Sequence, residues 1–365
     1  MKLADLPTPS LVLDRGILLR NIGAMARCLA RHNVPLRPHM KTAKSIEVAR
    51  LATAGQPGGI TVSTLAEAEY FAGHGIADIL YAVGITPQKL DQIAKLNSAG
   101  AAIIVLTDDL DTAGAVASHQ LPPRTVIEVD TGEGRGGIAP DDDMLLEIAA
   151  RLGPYLAGVM THAGHSYSGR DLGDMVRIAE AERAGVVRAA ERLRAAGYSV
   201  PIVSMGSSPT ALHAASLEGV TEVRAGVYMF GDLFQAEIGT HPLEAIALTV
   251  LTSVIGRRPG RLLVDAGGLA LSKDRSTEGA PKDYGFGLVL DINGKHSHGD
   301  AIVRRAYQEH GVVEPDPAHP FDLPIGAKLR IAPNHTCMTA AAHDRYYVIE
   351  GGDDVVAIWS RINGW

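Results

Sequence analysis

No apolar run in this sequence reaches the about eighteen residues that a membrane-spanning helix needs, so a membrane partner is not expected. Cysteine is nearly absent. Cys28 and Cys337 are the only two in 365 residues, too few for a disulfide framework, and cytoplasm is the expected compartment. An excess of positive charge is missing too. The 34 Lys and Arg against 41 Asp and Glu leave a net charge of −7, which gives no electrostatic reason to expect nucleic acid or an anionic membrane as partner. Nor is a secretory signal expected, because MKLADLPTPS runs directly into the strand-like LVLD. What is present is ordinary globular composition, 46% apolar and 21% charged, in a chain long enough for one large barrel and a smaller domain.

From Asp14 onwards short apolar runs alternate with longer amphipathic stretches. Leu18, Ile22, Met25 and Leu29 share one helical face at spacings of three and four. Strand candidates follow in VPLRPHM, GITVS, DILYAV, AAIIVL, RTVIEVD, LAGVMTH, PIVSMG and TEVRAG, with helical stretches such as 45–54, 64–73, 87–98, 141–152 and 171–197 between them. This alternation predicts a parallel α/β fold. Eight units in roughly 220 residues fit a (β/α)8 TIM barrel better than an open doubly wound sheet. Beyond Phe230 the pattern changes to strand-like runs with Gly- and Pro-rich turns, as in LTVLTSVIGRRPGRLLVDAG and YYVIEGGDDVVAIWSRI. The expected division is a barrel over 1–240 and a C-terminal, mostly-β domain over 241–365, with the N-terminal strand 8–14 open to joining the β domain.

Polar and glycine-rich clusters sit just after the strand candidates, at the end of a parallel barrel where active sites form. Lys41 in Arg37-Pro38-His39-Met40-Lys41-Thr42 can reach a barrel mouth and form a Schiff base with an aldehyde, although a lone lysine is far more often a solvated surface group. Asp130-Thr131-Gly132-Glu133-Gly134-Arg135-Gly136-Gly137 is a tight loop that brings an arginine close to a ligand oxygen, or an ordinary turn. In Thr161-His162-Ala163-Gly164-His165-Ser166-Tyr167, a histidine ring can lie flat on a cofactor ring, with Tyr167 as a polar contact. Gly206, Ser207 and Ser208 open a helix, and Arg224-Ala225-Gly226-Val227-Tyr228 closes the eighth strand. Together these two segments suit a phosphorylated ligand. His335 and Cys337, two apart on a segment expected to be extended, point the same way. They suit a catalytic metal with open positions, against the alternative of a buried Cys beside a structural His.

These residues resemble the D-serine dehydratase/D-threonine aldolase family, of the fold-type III pyridoxal 5′-phosphate (PLP) enzymes with an alanine racemase-like fold. The likeness runs from Thr8-Pro9 to the final strand. It rests on Arg37-Pro38-His39-x-Lys41-Thr42, Asp130-x-Gly132-x-x-Arg135-x-Gly137, Gly164-His165-x-Tyr167, Asp265-Ala266-Gly267, Glu309-His310-Gly311 and Pro333-Asn334-His335-x-Cys337-x-Thr339. It implies that Lys41 carries the cofactor, that Arg135 lies beside its phenolic oxygen and His165 against its pyridine ring, and that Gly206, Ser207, Ser208, Gly226 and Tyr228 surround the phosphate. His335 and Cys337 would hold a divalent metal. There is one departure: Ala43 stands where the family often has a histidine.

The resemblance implies a PLP- and metal-dependent lyase for 3-hydroxy D-amino acids, a homodimer, with Lys41, His335 and Tyr167 as catalytic groups. His-x-Cys favours a D-serine dehydratase-type reaction and zinc. His-x-Asp would favour the D-threonine aldolase reaction and manganese or magnesium. A racemase has no use for the metal pair, and non-catalytic PLP-binding proteins generally lack the second domain.

Overall fold

The computed structural model describes residues 1–169 and 171–365. Its first strand, β1 (Ser10–Asp14), is buried along its whole length. The next eight are β2 (Leu36–Pro38), β3 (Ile60–Val62), β4 (Asp78–Gly84), β5 (Ala102–Thr107), β6 (Thr125–Glu128), β7 (Leu156–Met160), β8 (Ile202–Met205) and β9 (Glu222–Ala225). They form one parallel sheet in the order β2-β9-β8-β7-β6-β5-β4-β3. The two ends of that order meet. A parallel bridge joins His39 to Thr61, and the Met40 N–H donates to the Thr61 carbonyl at 2.8 Å. The sheet is therefore a closed (β/α)8 barrel, with helices after its strands at Ile46–Thr53, Leu65–Gly73, Leu90–Ser98, Leu110–Ser118, Met144–Leu152, Leu172–Ala195 and Ser208–His213.

Close packing of the strands has visible sequence causes. Leu80, Ile104, Leu106, Val126, Ala157 and Met160 form one buried cluster. Between β7 and β8 the backbones approach so closely that a Cβ at Gly158, whose φ is +148°, would sit 2.0 Å from the Ile202 carbonyl oxygen. Only glycine fits there. This barrel unit comprises residues 24–226 with 362–365.

The second unit comprises residues 1–23 with 227–361. Its strands are β1 with β10 (Leu248–Arg258), β11 (Arg261–Val264), β12 (Leu288–Leu290), β13 (Ile302–Ala306), β14 (Gly311–Glu314), β15 (Lys328–Ala332), β16 (Arg345–Ile349) and β17 (Ala357–Ser360). Six of them close an antiparallel ring, β10-β11-β14-β13-β12-β15 and back to β10. The length of β10, eleven residues, lets it also pair with β1, which continues through β16 to the edge strand β17. Leu233, Ile246, Tyr284, Leu288, Ile302 and Ala332 make a core within this unit.

Two of the motifs behind the family resemblance have structural work here. Asp265 accepts hydrogen bonds from Thr252 Oγ1 (2.7 Å), the Ser253 N–H (2.9 Å) and Thr8 Oγ1 (2.5 Å). A Cβ at Gly267 would lie 2.3 Å from the Gln308 carbonyl oxygen, and one at Gly311 would lie 2.5 Å from that of Ala266. The Asp-Ala-Gly and Glu-His-Gly segments are thus packed backbone to backbone. No helix among the described residues is long and apolar enough to cross a membrane.

Candidate active site

Lys41 lies just beyond the C-terminal end of β2, exposed, and makes no ion pair among the described residues. Its neighbour Lys44 differs, with Nζ 3.2 Å from the buried Glu67 carboxylate. His39 Nδ1 accepts from the Lys41 backbone N–H at 3.4 Å. Burial pushes the His39 ring well below the usual imidazole range, and the cationic Lys41 and Arg224 reinforce this. His162, after β7, follows the same logic. Burial and then Lys41 hold it down to about 3, against the opposing hydrogen bond from Nδ1 to the Gly206 carbonyl (2.9 Å). Two uncharged imidazoles therefore flank the lysine.

The loop after β6 is set by Asp130. Its Oδ1 accepts three backbone N–H groups, from Gly132 (2.9 Å), Glu133 (3.0 Å) and Gly134 (3.1 Å). That loop presents Arg135, about half exposed, 3.6 Å from Glu128 and 3.7 Å from Glu133. Burial raises the Glu128 carboxyl, and Arg135 opposes that shift. The His165 ring lies over Gly132, where a Cβ would be 3.4 Å from its Nε2, and its buried Nδ1 has no hydrogen-bond partner among the described residues. A buried ring nitrogen without a protein partner fits a site that takes a polar ligand. Tyr167 is half-buried in the same short turn, Gly164–Ser168.

Ser207 is more committed than a free phosphate ligand would be. Its hydroxyl accepts from the Thr210 N–H (3.2 Å), its own N–H donates to Thr210 Oγ1 (3.0 Å), and its Oγ lies 2.9 Å from Ser166 Oγ. This reciprocal cap starts helix Ser208–His213. Gly206, with φ +135°, passes so close to Arg224 that a Cβ would be 2.3 Å from the Arg224 carbonyl oxygen. Gly226 abuts the lysine turn, its virtual Cβ 2.8 Å from the His39 carbonyl oxygen. Ser208 is buried, and Ala43, in the family's histidine position, is fully buried. The barrel unit thus brings Lys41, His162, Gly206 and Gly226 into one neighbourhood, with Arg135 and His165 on the Asp130 loop.

Four residues here are given no role by the sequence alone. Arg224 is buried and donates to Ser204 Oγ (2.9 Å) and to the Thr161 carbonyl. Glu182, buried in helix Leu172–Ala195, accepts the Ala163 and Gly206 N–H groups, each at 2.9 Å, and burial raises its carboxyl. Glu128 and His39 complete the set. Arg224 and His39 stand inside motifs that had drawn attention for other residues, whereas Glu182 carries no local signal.

The remaining candidates lie in the second unit. Tyr228 is buried, which pushes its hydroxyl up. His335 and Cys337 are not on an extended segment. His335 is the N-cap and Cys337 the second residue of a short helix, Thr336–Ala340, so a helical turn rather than strand alternation brings them together. His335 Nδ1 lies 3.0 Å from Asp274 Oδ2. Burial disfavours a charged ring, but hydrogen bonds with Asp274 and Cys337 outweigh it and hold His335 up to about 11. On the other side the buried Asp232, raised to about 6 by burial, accepts the Thr336 N–H at 3.0 Å. An imidazole and a thiol side by side are a fitting donor set for a soft divalent metal. Among the described residues no group of three or more His, Cys, Asp and Glu is arranged to hold an ion.

Two family models match this chain. Residues 13–233 match the family model for the alanine racemase N-terminal domain, and residues 247–349 match the "Putative serine dehydratase domain". The chain belongs to the D-serine dehydratase/D-threonine aldolase family. It is 43% identical to a D-threo-3-hydroxyaspartate dehydratase of Delftia sp. (strain HT23), covering 100% of this chain and 99% of that one. It is 28% identical to a D-serine dehydratase of Dictyostelium discoideum, over 99% and 98% of the two chains. It is 31% identical to a D-threonine aldolase of Arthrobacter sp., over 98% and 94%. The solved structure of the Delftia dehydratase superposes with a TM-score of 0.95 at 42% identity, covering 100% of both chains. Two variant structures of a D-threo-3-hydroxyaspartate dehydratase superpose with TM-scores of 0.96 at 41% identity. They cover 100% of this chain and 97% and 100% of theirs. One has a histidine replaced by alanine, and the other a cysteine two positions further on, in the metal-free form.

Proposed function

We propose that this chain is a PLP- and metal-dependent lyase for 3-hydroxy D-amino acids, of the dehydratase type, releasing a 2-oxo acid and ammonia. The observation that carries this reading is the imidazole–thiol pair of His335 and Cys337 in a family member 43% identical to a D-threo-3-hydroxyaspartate dehydratase. That a metal-free form of a D-threo-3-hydroxyaspartate dehydratase variant is distinguished is in keeping with a metal in this family. When bound, PLP supplies an electron sink for charge at Cα, and a metal, with zinc the choice for a thiolate ligand, supplies a Lewis acid for the oxygen at Cβ.

The chain's own residues supply the rest. Lys41 Nζ holds the cofactor and then takes the proton from the substrate Cα. His39 and His162, both kept uncharged, place no competing cation against that amine. Arg135 would face the cofactor's phenolic oxygen, His165 would lie against its ring, and Tyr167 would contact the substrate. Gly206, Ser208, Gly226 and Tyr228 would hold the phosphate, while Ser207, committed to Thr210, caps the helix beside it. The substrate loses a proton from Cα and hydroxide from Cβ, and the freed enamine tautomerises and takes up water to give oxo acid and ammonia. The chain works as a homodimer in the cytoplasm in this reading, and the absence of a disulfide at Cys28 and Cys337 is compatible with that compartment.

A product assay tests the proposal. The protein with PLP and zinc is given D-threo-3-hydroxyaspartate, D-serine and D-threonine. Oxo acid and ammonia in equal amounts support it. Glycine with an aldehyde would favour the second reading, an aldolase, which the 31% identity to a D-threonine aldolase keeps in view.

A further inference from the structure

A carboxylate has no proton to give, so the 3.0 Å contact between Asp274 Oδ2 and His335 Nδ1 has one polarity: Nδ1 donates and Asp274 accepts. In the neutral ring the remaining lone pair is then on Nε2, and that atom alone is left to ligate. The carboxylate is not a loose surface group that has swung into place. Its Oδ1 accepts the Ser276 N–H (2.8 Å), and its own N–H donates to Ser272 Oγ (3.2 Å). Its carbonyl accepts from Nδ2 of Asn334, the residue immediately before His335 (3.1 Å). Asn334 is itself buried and tied to the Gly285 carbonyl (2.7 Å) and to Thr277 Oγ1 (3.2 Å). The loop that supplies the carboxylate and the segment that supplies the imidazole are therefore stitched together at two successive residues.

We infer that Asp274 is the positioning residue of the metal pair, fixing the His335 tautomer so that Nε2 faces the ion and making the ring a stronger donor. The inference rests on the reading of His335 and Cys337 as metal ligands. Asp274 acts through His335 and not on the ion, because its Oδ2 is already committed to Nδ1. A carboxylate behind a ligating imidazole both orients the ring and raises its basicity, and losing such a partner typically costs about 10- to 100-fold in metal affinity.

The test uses the full chain stripped with chelator and titrated with Co²⁺, following the sulfur-to-cobalt absorption, with H335A and C337A as controls. D274A is expected to weaken cobalt binding by about 10- to 100-fold. D274N should lose less, because an amide oxygen still accepts from Nδ1–H but brings no charge. A second measurement needs no variant. In the zinc-loaded wild type, the ¹⁵N-histidine spectrum should show His335 protonated at Nδ1 and metal-bound at Nε2. Metal at Nδ1 overturns the inference even where D274A fails to fold. Unchanged cobalt affinity in a folded D274A overturns it alone and leaves the lyase reading standing. A wild type that takes up no cobalt, or whose uptake survives H335A and C337A, overturns both the inference and the metal half of the proposed function.

Discussion

Arg37 shows how a residue read as part of a site motif can serve the fold instead. Its side chain is buried, with Nε 2.8 Å from Glu222 and Nη1 2.8 Å from Asp78. Glu222 also accepts from Ser204 Oγ at 2.7 Å, so the charge is well housed only while Arg37 is present. R37A should therefore lose about 3–5 kcal/mol in urea denaturation, the usual cost of stranding one partner of a buried pair. An R37L/E222Q double variant should recover part of that loss. His162 gives a pH prediction. Its folded value of about 3 lies below the unfolded value near 6.5, so the unfolded chain gains a proton first as pH falls. Stability from this group is complete above about pH 6.5 and is lost below it. For the cofactor-free chain, H162N should reduce the fall in stability between pH 7 and pH 5 by up to about 2 kcal/mol. An equal slope in both proteins would contradict it. The sequence marked Lys41, Arg135, His165, His335 and Cys337 through motifs that jointly resemble a known family, where each motif alone is weak. It could not mark Asp274, whose role depends on a contact with a residue 61 positions away.

At the scale of elements, the barrel strands were legible because β-branched and aliphatic runs such as AIIV and TVIE alternate with amphipathic helices of period 3.6. The segment carrying His335 was misread as extended. Five residues give no helical period, and the turn is imposed from outside, by Asp232 and Gly231 accepting from Thr336. The helix after β8 is likewise only six residues long and depends on its cap. S207A removes the hydroxyl that accepts the Thr210 N–H, and should cost about 1 kcal/mol of stability in the cofactor-free protein, measured by thermal unfolding. If Ser207 served only a ligand, S207A would be neutral without cofactor.

For the whole molecule, the alternation of elements implied eight parallel strands, but their closure was not written in any local pattern. It depends on β2 meeting β9 along a ladder, a pairing across most of the barrel's length, and β3 through the His39–Thr61 bridge. The antiparallel ring of the second unit was harder still, because β10 pairs with β11, β15 and β1 at once. Such non-local register is invisible to periodicity. The proposed lysine lies in the barrel unit and the imidazole–thiol pair in the β unit. The barrel's claim is tested most directly by reducing the PLP-loaded full-length protein with borohydride and mapping the labelled peptide. Label confined to Lys41 is the predicted result. Label on Lys44, which the structure pairs with Glu67, or on no lysine at all would contradict the account.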